Sequence, residues 1–299
     1  MNISKTASSG FFALLEKIIR SHPLIYFFVR YLIRFTNIFE DDAHGVKYLN
    51  LEKKINVIDV GASDGVAAKF FFNNLDTNKI LCFEPNKPYI NILRNLKLNN
   101  LVVLPYGISD AAKKFKIFYP RYNFFGTYFD LITYTFYNKK DLVKQINLDF
   151  KFRRNISIIE KSINLKKIKK IHFKISLVKI DVNGHELSVV RGLKNILKRD
   201  RPALIVETDK NIKKIELLLK KLNYKKYFFS KREKSFEIIK NKYPLNTYFL
   251  QSSHLNWFYI LLETDNLNKL NKEDTMSIIR ILDLPEILYL SFVGISIIL

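Results

Sequence analysis

"VIDVGASDGVAAKF", Val57 to Phe70, joins an apolar run to an acid, a Gly-rich turn and an amphipathic segment. A short apolar run closed by turn residues reads as a buried strand, and the helical spacing after it as a helix. Asp59 stands just before the end of that strand. Gly61 and Gly65 then let the backbone turn tightly and approach a ligand closely. The spacing is G-x-x-x-G, so neither the phosphate-cradling G-x-x-x-x-G-K-[ST] loop nor the dinucleotide pattern G-x-G-x-x-G is met. On its own the turn is either a ligand loop that grips no phosphate or a plain strand-to-helix connection.

The stretches around it alternate in the same way. Strands are expected at Ile55–Val60, Lys79–Glu84, Leu101–Pro105, Phe115–Tyr119, Leu177–Val182, Ala203–Glu207, near Tyr224–Phe229 and near Trp257–Leu262. Helices are expected at Asp64–Asn74, Asn86–Leu98, from Glu186 through Lys198, and near Ile212–Leu222. Such alternation predicts an α/β domain with a mostly parallel sheet. Residues 120–175 interrupt the order with an aromatic and basic insertion, the kind of segment that serves as a lid or binding loop. The expected organisation is N-terminal helices over 1–50, the α/β domain over 51–265 and an apolar tail over 266–299. No internal repeat is visible.

Four pieces carry chemistry. The turn supplies Asp59, Gly61, Ala62, Ser63, Asp64 and Gly65. "ILCFEPNKPYINILRNLKLNN" ends a strand on Glu84 and Pro85, about 25 residues after Asp59. An acid there can accept both hydroxyls of a ribose. A ribose acceptor without a phosphate grip suits an adenosine that carries no phosphate, such as S-adenosylmethionine, and Asp59 and Asp64 can help orient its ammonium group. "LVVLPYGISDAAKKFKIF" places Gly107, Ile108 and Ser109 after the third strand, where they can meet the adenine edge or simply form a turn. "SLVKIDVNGHELSVVRGLKNIL" ends a strand on Asp181 and opens a helix with His185 and Glu186, and "ALIVETD" ends the next strand on Glu207. In open α/β sheets the carboxyl ends of the strands form the ligand crevice. Asp181 and Glu207 can bind substrate hydroxyls, act as a base or hold a cation. For Glu186 a capping role competes with catalysis, and for His185 substrate contact competes with simple exposure.

Composition narrows the class. With 25 Phe, 16 Tyr and 48% hydrophobic residues among 299, the chain has the material for a large core. A single cysteine, Cys82, excludes a disulfide framework and a multi-cysteine zinc site. The net charge of +22 points toward nucleic acid or an anionic membrane surface. The Lys residues are scattered, however, and accompany abundant Asn, Ile, Phe and Tyr, which also fits an AT-rich bacterial genome. "MNISKTASSG" carries one Lys, and the apolar stretch after it is broken by Glu16, Lys17 and Arg20, so no cleavable signal peptide is read. Residues 11–38 read as two helices split near Ser21-His22-Pro23. Arg30 and Arg34 share one face of the second, which argues for a helix on a membrane surface or packed on the domain, not across a bilayer. The apolar "ILYLSFVGISIIL" at 287–299 is too short to span comfortably.

Together, "VIDVGASDG", "FEPNKPYINILRNLKLNN", "YGISD", "LVKIDVNGHELSVVRGLKNIL" and "RPALIVE" resemble the FkbM family of S-adenosylmethionine-dependent methyltransferases, over roughly residues 50–262. Ser63 stands where the family often has Asn, and Asn183 where it has an acid or Gln. The resemblance implies a class I methyltransferase fold, Rossmann-like, with a seven-stranded mostly parallel sheet and helices on both faces. It implies O-methylation, often of sugars, with Asp181, His185, Glu186 and Glu207 as catalytic candidates, Asp181 first among them. Asp181 can also touch the amino-acid end of the cofactor. No metal is required.

Three functions are open at this point. One is methylation of a hydroxyl in a surface glycan or glycosylated metabolite, by a cytoplasmic enzyme in peripheral contact with the inner face of an anionic membrane. The second is methylation of nucleic acid: base methylation is disfavoured because no [NDS]-P-P-[YFW] run exists for exocyclic nitrogens and Cys82, the one thiol for attack at cytosine C5, lies in an expected buried strand, while ribose methylation stays open although no RNA-binding motif is appended. The third is a non-catalytic S-adenosylmethionine binder within a glycan assembly complex. The acceptor and the oligomeric state are not written in the sequence.

Overall fold

A computed structural model describes residues 22–33, 41–151, 153–168, 171–240 and 243–255. The chain divides into a unit of Met1–His254 and a second of Leu255–Leu299. The expected strand at Trp257–Leu262, the apolar tail and the first N-terminal helix lie outside the described residues. No described helix is long and apolar enough to cross a membrane.

The elements follow the apolar pattern closely. In chain order they are α1 (Pro23–Ile33), a 3-10 turn (Asp41–Tyr48), β1 (Ile55–Val60), α2 (Val66–Asn74), β2 (Thr77–Phe83), α3 (Lys87–Asn95), β3 (Leu101–Leu104) and β4 (Gly107–Ile108). The inserted segment contributes β5 (Lys113–Phe124), β6 (Thr127–Asp130), α4 (Lys139–Asp149) and β7 (Ile156–Lys166). The domain then resumes with β8 (Leu177–Ile180), α5 (Glu186–Gly192), α6 (Lys194–Asp200), β9 (Ala203–Glu207), α7 (Ile212–Lys220), β10 (Lys225–Ser230), β11 (Ser235–Ile238) and β12 (Asn246–Leu250).

The main sheet has the order β11-β10-β12-β9-β8-β1-β2-β3. Its β3, β2, β1, β8 and β9 are parallel, and β12, β10 and β11 close it antiparallel. The seven strands expected are thus eight. The extra one is β11, paired back onto β10 by a turn whose charged "KREK" hides a hairpin. β1 and β8 are buried along their whole length, as strands covered on both faces must be. The core gathers Ile58, Val178, Ile180, Leu204, Val206 and Phe249 from these strands. Strand order reverses between β1 and β8, which makes their carboxyl ends the topological switch point where such sheets bind ligands.

The segment from 120 to 175, expected as a lid or loop, is instead largely ordered secondary structure. β5 runs antiparallel to both β6 and β7, and β7 also pairs with β4, giving a second sheet of order β4-β7-β5-β6. The alternation in "KKFKIFY" and "ISIIEKSINLK" fits strands with one covered face. Leu142, Ile146 and Phe150 of the α4 segment pack with Leu131 and Tyr134. α1 docks on this second core. Tyr26 hydrogen-bonds Thr133 through its hydroxyl at 2.8 Å and meets the Tyr134 ring edge-on at 4.8 Å, and Phe27 meets Phe129 at 5.3 Å. The helix therefore packs on the insertion by one side, while Ile25, Phe28 and Tyr31 are exposed.

α4 starts on a side-chain cap. Asn138 Oδ1 accepts from the backbone N–H of Lys140 at 2.8 Å and of Asp141 at 3.4 Å. The substitution Asn138→Ala should cost about 1 kcal/mol. Thermal unfolding should show a loss of roughly 2–4 °C.

Candidate active site

The register of the parallel strands sets the site. Val60 pairs with Phe83 and with Ile180, and Ile180 pairs with Val206. The next residue of each strand is Gly61, Glu84, Asp181 and Glu207, so the turn and three acids reach one edge of the sheet together. Backbone bonds extend the ladders there: Gly61 N–H donates to Phe83 O at 3.0 Å, Asp181 N–H to Val60 O at 3.1 Å, and Glu84 N–H to Leu104 O at 3.1 Å.

The turn can be built only as it is. Gly61 has φ +81°, and a Cβ there would stand 1.9 Å from the Asp181 carbonyl oxygen. Any side chain would push the β1 turn off β8. Ser63, at φ +50°, directs its N–H to Glu84 Oε2 at 2.9 Å, while Asn86 N–H reaches Glu84 Oε1 at 2.7 Å. Glu84 thus ties the Gly turn to the start of α3 and keeps lone pairs on both oxygens. Burial raises its carboxyl to about 7 against the pull of those two donors.

Asp59 is wholly buried, and neither carboxylate oxygen has a hydrogen-bond partner among the described residues. Its nearest cation is Lys179 Nζ at 3.9 Å. Burial raises Asp59 to about 6, with Lys179 opposing. Lys179 is itself buried within β8 and donates to Asp181 Oδ2 at 3.0 Å. Glu207 is raised well above its ordinary value, first by burial and next by Asp181, with which it shares a hydrogen bond. Asp181 shows 32% of its side chain to solvent, against none for Asp59.

The other candidates have distinct neighbours. Glu186 is buried and folds back on its own loop, accepting from Val182 N–H at 3.1 Å and Gly184 N–H at 3.0 Å, so it shapes the turn after Asp181. Burial raises its carboxyl, and Asp209 nearby adds to that. His185 is buried too, stacked on Tyr137 at 4.8 Å and 17°, with its Nε2 at 3.1 Å from Ser109 Oγ. Burial lowers its pKa, as does Lys113. Gly107 and Ile108 form β4 and pair with β7, and Ser109 is fully buried. Pro85 packs beside Gly107. These residues join the insertion to the rim, while Asp59, the turn, Glu84, Asp181 and Glu207 form the rim itself. Ala62 and Asp64 are buried within the turn. Cys82 is buried in β2, and burial pushes its thiol up, which suits a packing role. Among the described residues no group of three or more His, Cys, Asp or Glu is placed to hold a metal ion.

Lys179 is the residue of the candidate site that the sequence reading passed over. Its signal was present: one cation inside "LVKID", a strand otherwise apolar, must find acids in the fold.

The rim fits S-adenosylmethionine. Buried carboxylate oxygens of Asp59 without partners face a cationic ligand's needs, Glu84 retains acceptor capacity for ribose hydroxyls, and the glycine turn brings backbone close without phosphate-binding character.

A search of curated proteins gives no match. Among solved structures, the FkbM methyltransferase of Methylobacillus flagellatus KT is similar at 14% identity and a TM-score of 0.41, over 67% of this chain and 44% of that one. The chain thus spans less than half of that protein. An rRNA methylase from Streptococcus thermophilus is similar at 9% identity and a TM-score of 0.38, over 73% of this chain and 99% of that one. TrmK of M. capricolum, bound to S-adenosylhomocysteine, is similar at 12% and 0.36, over 87% and 94%. The Methyltransferase FkbM domain matches residues 59–226, more than half of the chain and the whole span from Asp59 through Glu207. On that match the chain belongs to the FkbM methyltransferase family, and its cofactor is S-adenosylmethionine.

Proposed function

We propose that this methyltransferase acts on a hydroxyl oxygen of a sugar, in a surface glycan or a glycosylated metabolite. The observation that carries the reading is Asp181. It is a strand-end carboxylate at the switch point, one-third exposed, that accepts a hydrogen bond from Lys179 and shares another with the Glu207 carboxyl. An alcohol is a poor nucleophile until its proton is removed, and a base in hydrogen-bond reach of it supplies that step. S-adenosylmethionine supplies an electrophilic methyl group on a sulfonium. Asp181 accepts the hydroxyl proton, Lys179 stabilises the carboxylate before transfer, and Glu186 fixes the loop that carries Asp181. In the same reading Glu84 holds the ribose, with Asp59 and Asp64 toward the ammonium group, and Pro85, Gly107, Ile108 and Ser109 shape the adenine side.

The assay is direct. The full chain, incubated with methyl-labelled S-adenosylmethionine and cell-envelope glycan fractions, should yield an alkali-stable methyl ether. Label entering RNA instead would replace this reading with ribose methylation, and cofactor binding without any transfer would leave a binding subunit.

Glu84 gives the reading a pH signature. Ribose hydroxyls donate to the ionised carboxylate, so protonation below about 7 must be reversed for binding. Calorimetry should show cofactor affinity flat above that value, falling about tenfold per pH unit between about 7 and 6, and more steeply below about 6, where Asp59 also takes up a proton. In Glu84→Gln the affinity should be weak at all pH values, because one oxygen is replaced by a donor facing an N–H. A wild-type affinity constant from pH 5 to 8 would remove Glu84 from the ribose site.

A further inference from the structure

The β5–β6 connection breaks two rules at once. Phe124 pairs with Thr127, leaving Phe125 and Gly126 as a two-residue turn with φ +47° and +86°. Positive φ at both central residues is the type I′ hairpin turn, which favours Asn-Gly or Gly-Gly. A bulky side chain in the left-handed region is strained. This one is also 94% exposed. An aromatic ring that costs both backbone strain and hydration is explained by something that covers it.

The ring tops a hairpin that carries aromatic residues on both faces, Phe124 and Phe129 on one and Tyr128 on the other. Phe125 meets Phe124 edge-on at 4.8 Å, and Phe124 stacks with Tyr122. Exposed Tyr128 follows in β6, and Phe129 bridges to Phe27 and Phe28 of α1 at 5.3 and 6.3 Å. A groove of about 310 Å³ lies between α1, α3 and β6, lined by Tyr26, Tyr31, Tyr89, Tyr128 and Phe129 among others. Beside the tip, Asn123 N–H donates to the Asn155 carbonyl at 2.9 Å, which brings the exposed cations Lys151, Arg153 and Arg154 alongside. Asp130 is neutralised by Arg121 at 2.6 Å, while Asp149, hydrogen-bonded by the neutral Tyr134 and Gln145, sets one negative charge against the three cations. The local surplus is therefore basic.

We infer that the β5–β6 tip, with the exposed side of α1, is a docking surface for an anionic lipid bilayer. The Phe125 ring enters the interface between headgroups and acyl chains, and Lys151, Arg153 and Arg154 meet acidic headgroups. A second copy of the chain is opposed by the +22 charge each copy carries. Single-stranded nucleic acid is bound along basic grooves lined with rings, whereas the aromatic groove here is lined by Asp130 and, among the described residues, by no Lys or Arg. About ten residues of extended β5 separate Phe115, which contacts the His185 ring, from the tip. The docked membrane is thus roughly 30 Å from that end of the site. The inference goes beyond the methyl-transfer reading and does not depend on the acceptor.

Co-sedimentation of the full chain with vesicles tests it, without any methyl transfer. The vesicles are phosphatidylcholine alone, or phosphatidylcholine with about one-third phosphatidylglycerol. Wild type should sediment with the anionic vesicles only, and release with salt. Phe125→Asn should bind them on the order of tenfold more weakly. It should also unfold at an equal or higher temperature, because Asn tolerates the left-handed backbone. No sedimentation of wild type, or equal sedimentation of the variant, overturns the proposal. So does a variant that sediments like wild type but loses binding to polyuridylate, which would make the tip an RNA contact. Dimers abolished by the substitution would assign the surface to a second copy.

Discussion

The substitution Asp181→Asn is expected to lower the turnover number for methyl transfer by about two to four orders of magnitude, the usual contribution of a positioned base. Asparagine keeps the shape and one acceptor for Lys179 but cannot take the hydroxyl proton. Glu207, which shares a hydrogen bond with Asp181, loses that carboxylate acceptor and faces the amide NH2 instead, from which its own carboxyl oxygen can accept. Folding should therefore survive, and cofactor affinity should change less than tenfold, since the change is confined to one carboxylate. Single-turnover kinetics with labelled cofactor, beside calorimetry, separate the two quantities. If affinity collapses while the rate at saturating cofactor is unchanged, Asp181 serves the amino-acid end of the cofactor and another group moves the proton.

Lys179→Met is the second large effect, and it appears in stability. Lys179 lies between Asp181 at 3.0 Å and Asp59 at 3.9 Å. Removing one partner of a buried charge cluster typically costs about 3–5 kcal/mol, or roughly 10 °C in a domain of this size. The pH dependence has a definite sign. Asp59 is raised from 3.8 to about 6. Between those values the fold holds a proton that the unfolded chain has released, so stability falls as pH rises through that window. Without Lys179, which holds the value down, the window extends upward. The deficit of the variant relative to wild type should thus be small near pH 5 and largest near pH 8. Adding Asp59→Asn should recover part of it, a coupling that only contact between the two residues produces. A pH-independent deficit, unaltered by Asp59→Asn, would mean that Lys179 acts by packing alone.

Much of the rim was legible because it is written locally. A buried strand must be apolar and a ligand edge must not be, so Asp59, Glu84, Asp181 and Glu207 stand out at the ends of Ile55–Val60, Thr77–Phe83, Leu177–Ile180 and Ala203–Glu207. What depends on distant pairing was not legible. Phe115–Tyr119 reads as a strand, but nothing near it says that it continues to Phe124 or that its partner begins at Ile156. The turn at Phe125-Gly126 escaped because Phe is not a turn residue, and β11 because "KREK" resembles a solvated loop. Glu186 shows the limit of residue type as evidence. An acid opening a helix beside a catalytic strand invites a chemical role, yet its oxygens are engaged by the N–H groups of Val182 and Gly184.

The pairing of β1 with β8 has a kinetic consequence. Val60 and Ile180 are partners across the entire span that contains α2, β2, α3, β3 and the second sheet. Closing a loop of on the order of a hundred residues is slow, because its entropy is lost before the contacts repay it. The β5–β6 hairpin and the α4 segment are built from nearby residues and can form early, which draws the two ends together. Asp59 and Glu84 come together with the local pairing of β1 and β2, whereas Asp181 and Glu207 join them only once β8 and β9 are in place. During synthesis, a ribosome-bound chain lacking residues beyond about 180 would carry the turn and Glu84 but not Asp181 or Glu207, leaving the rim without its proposed base.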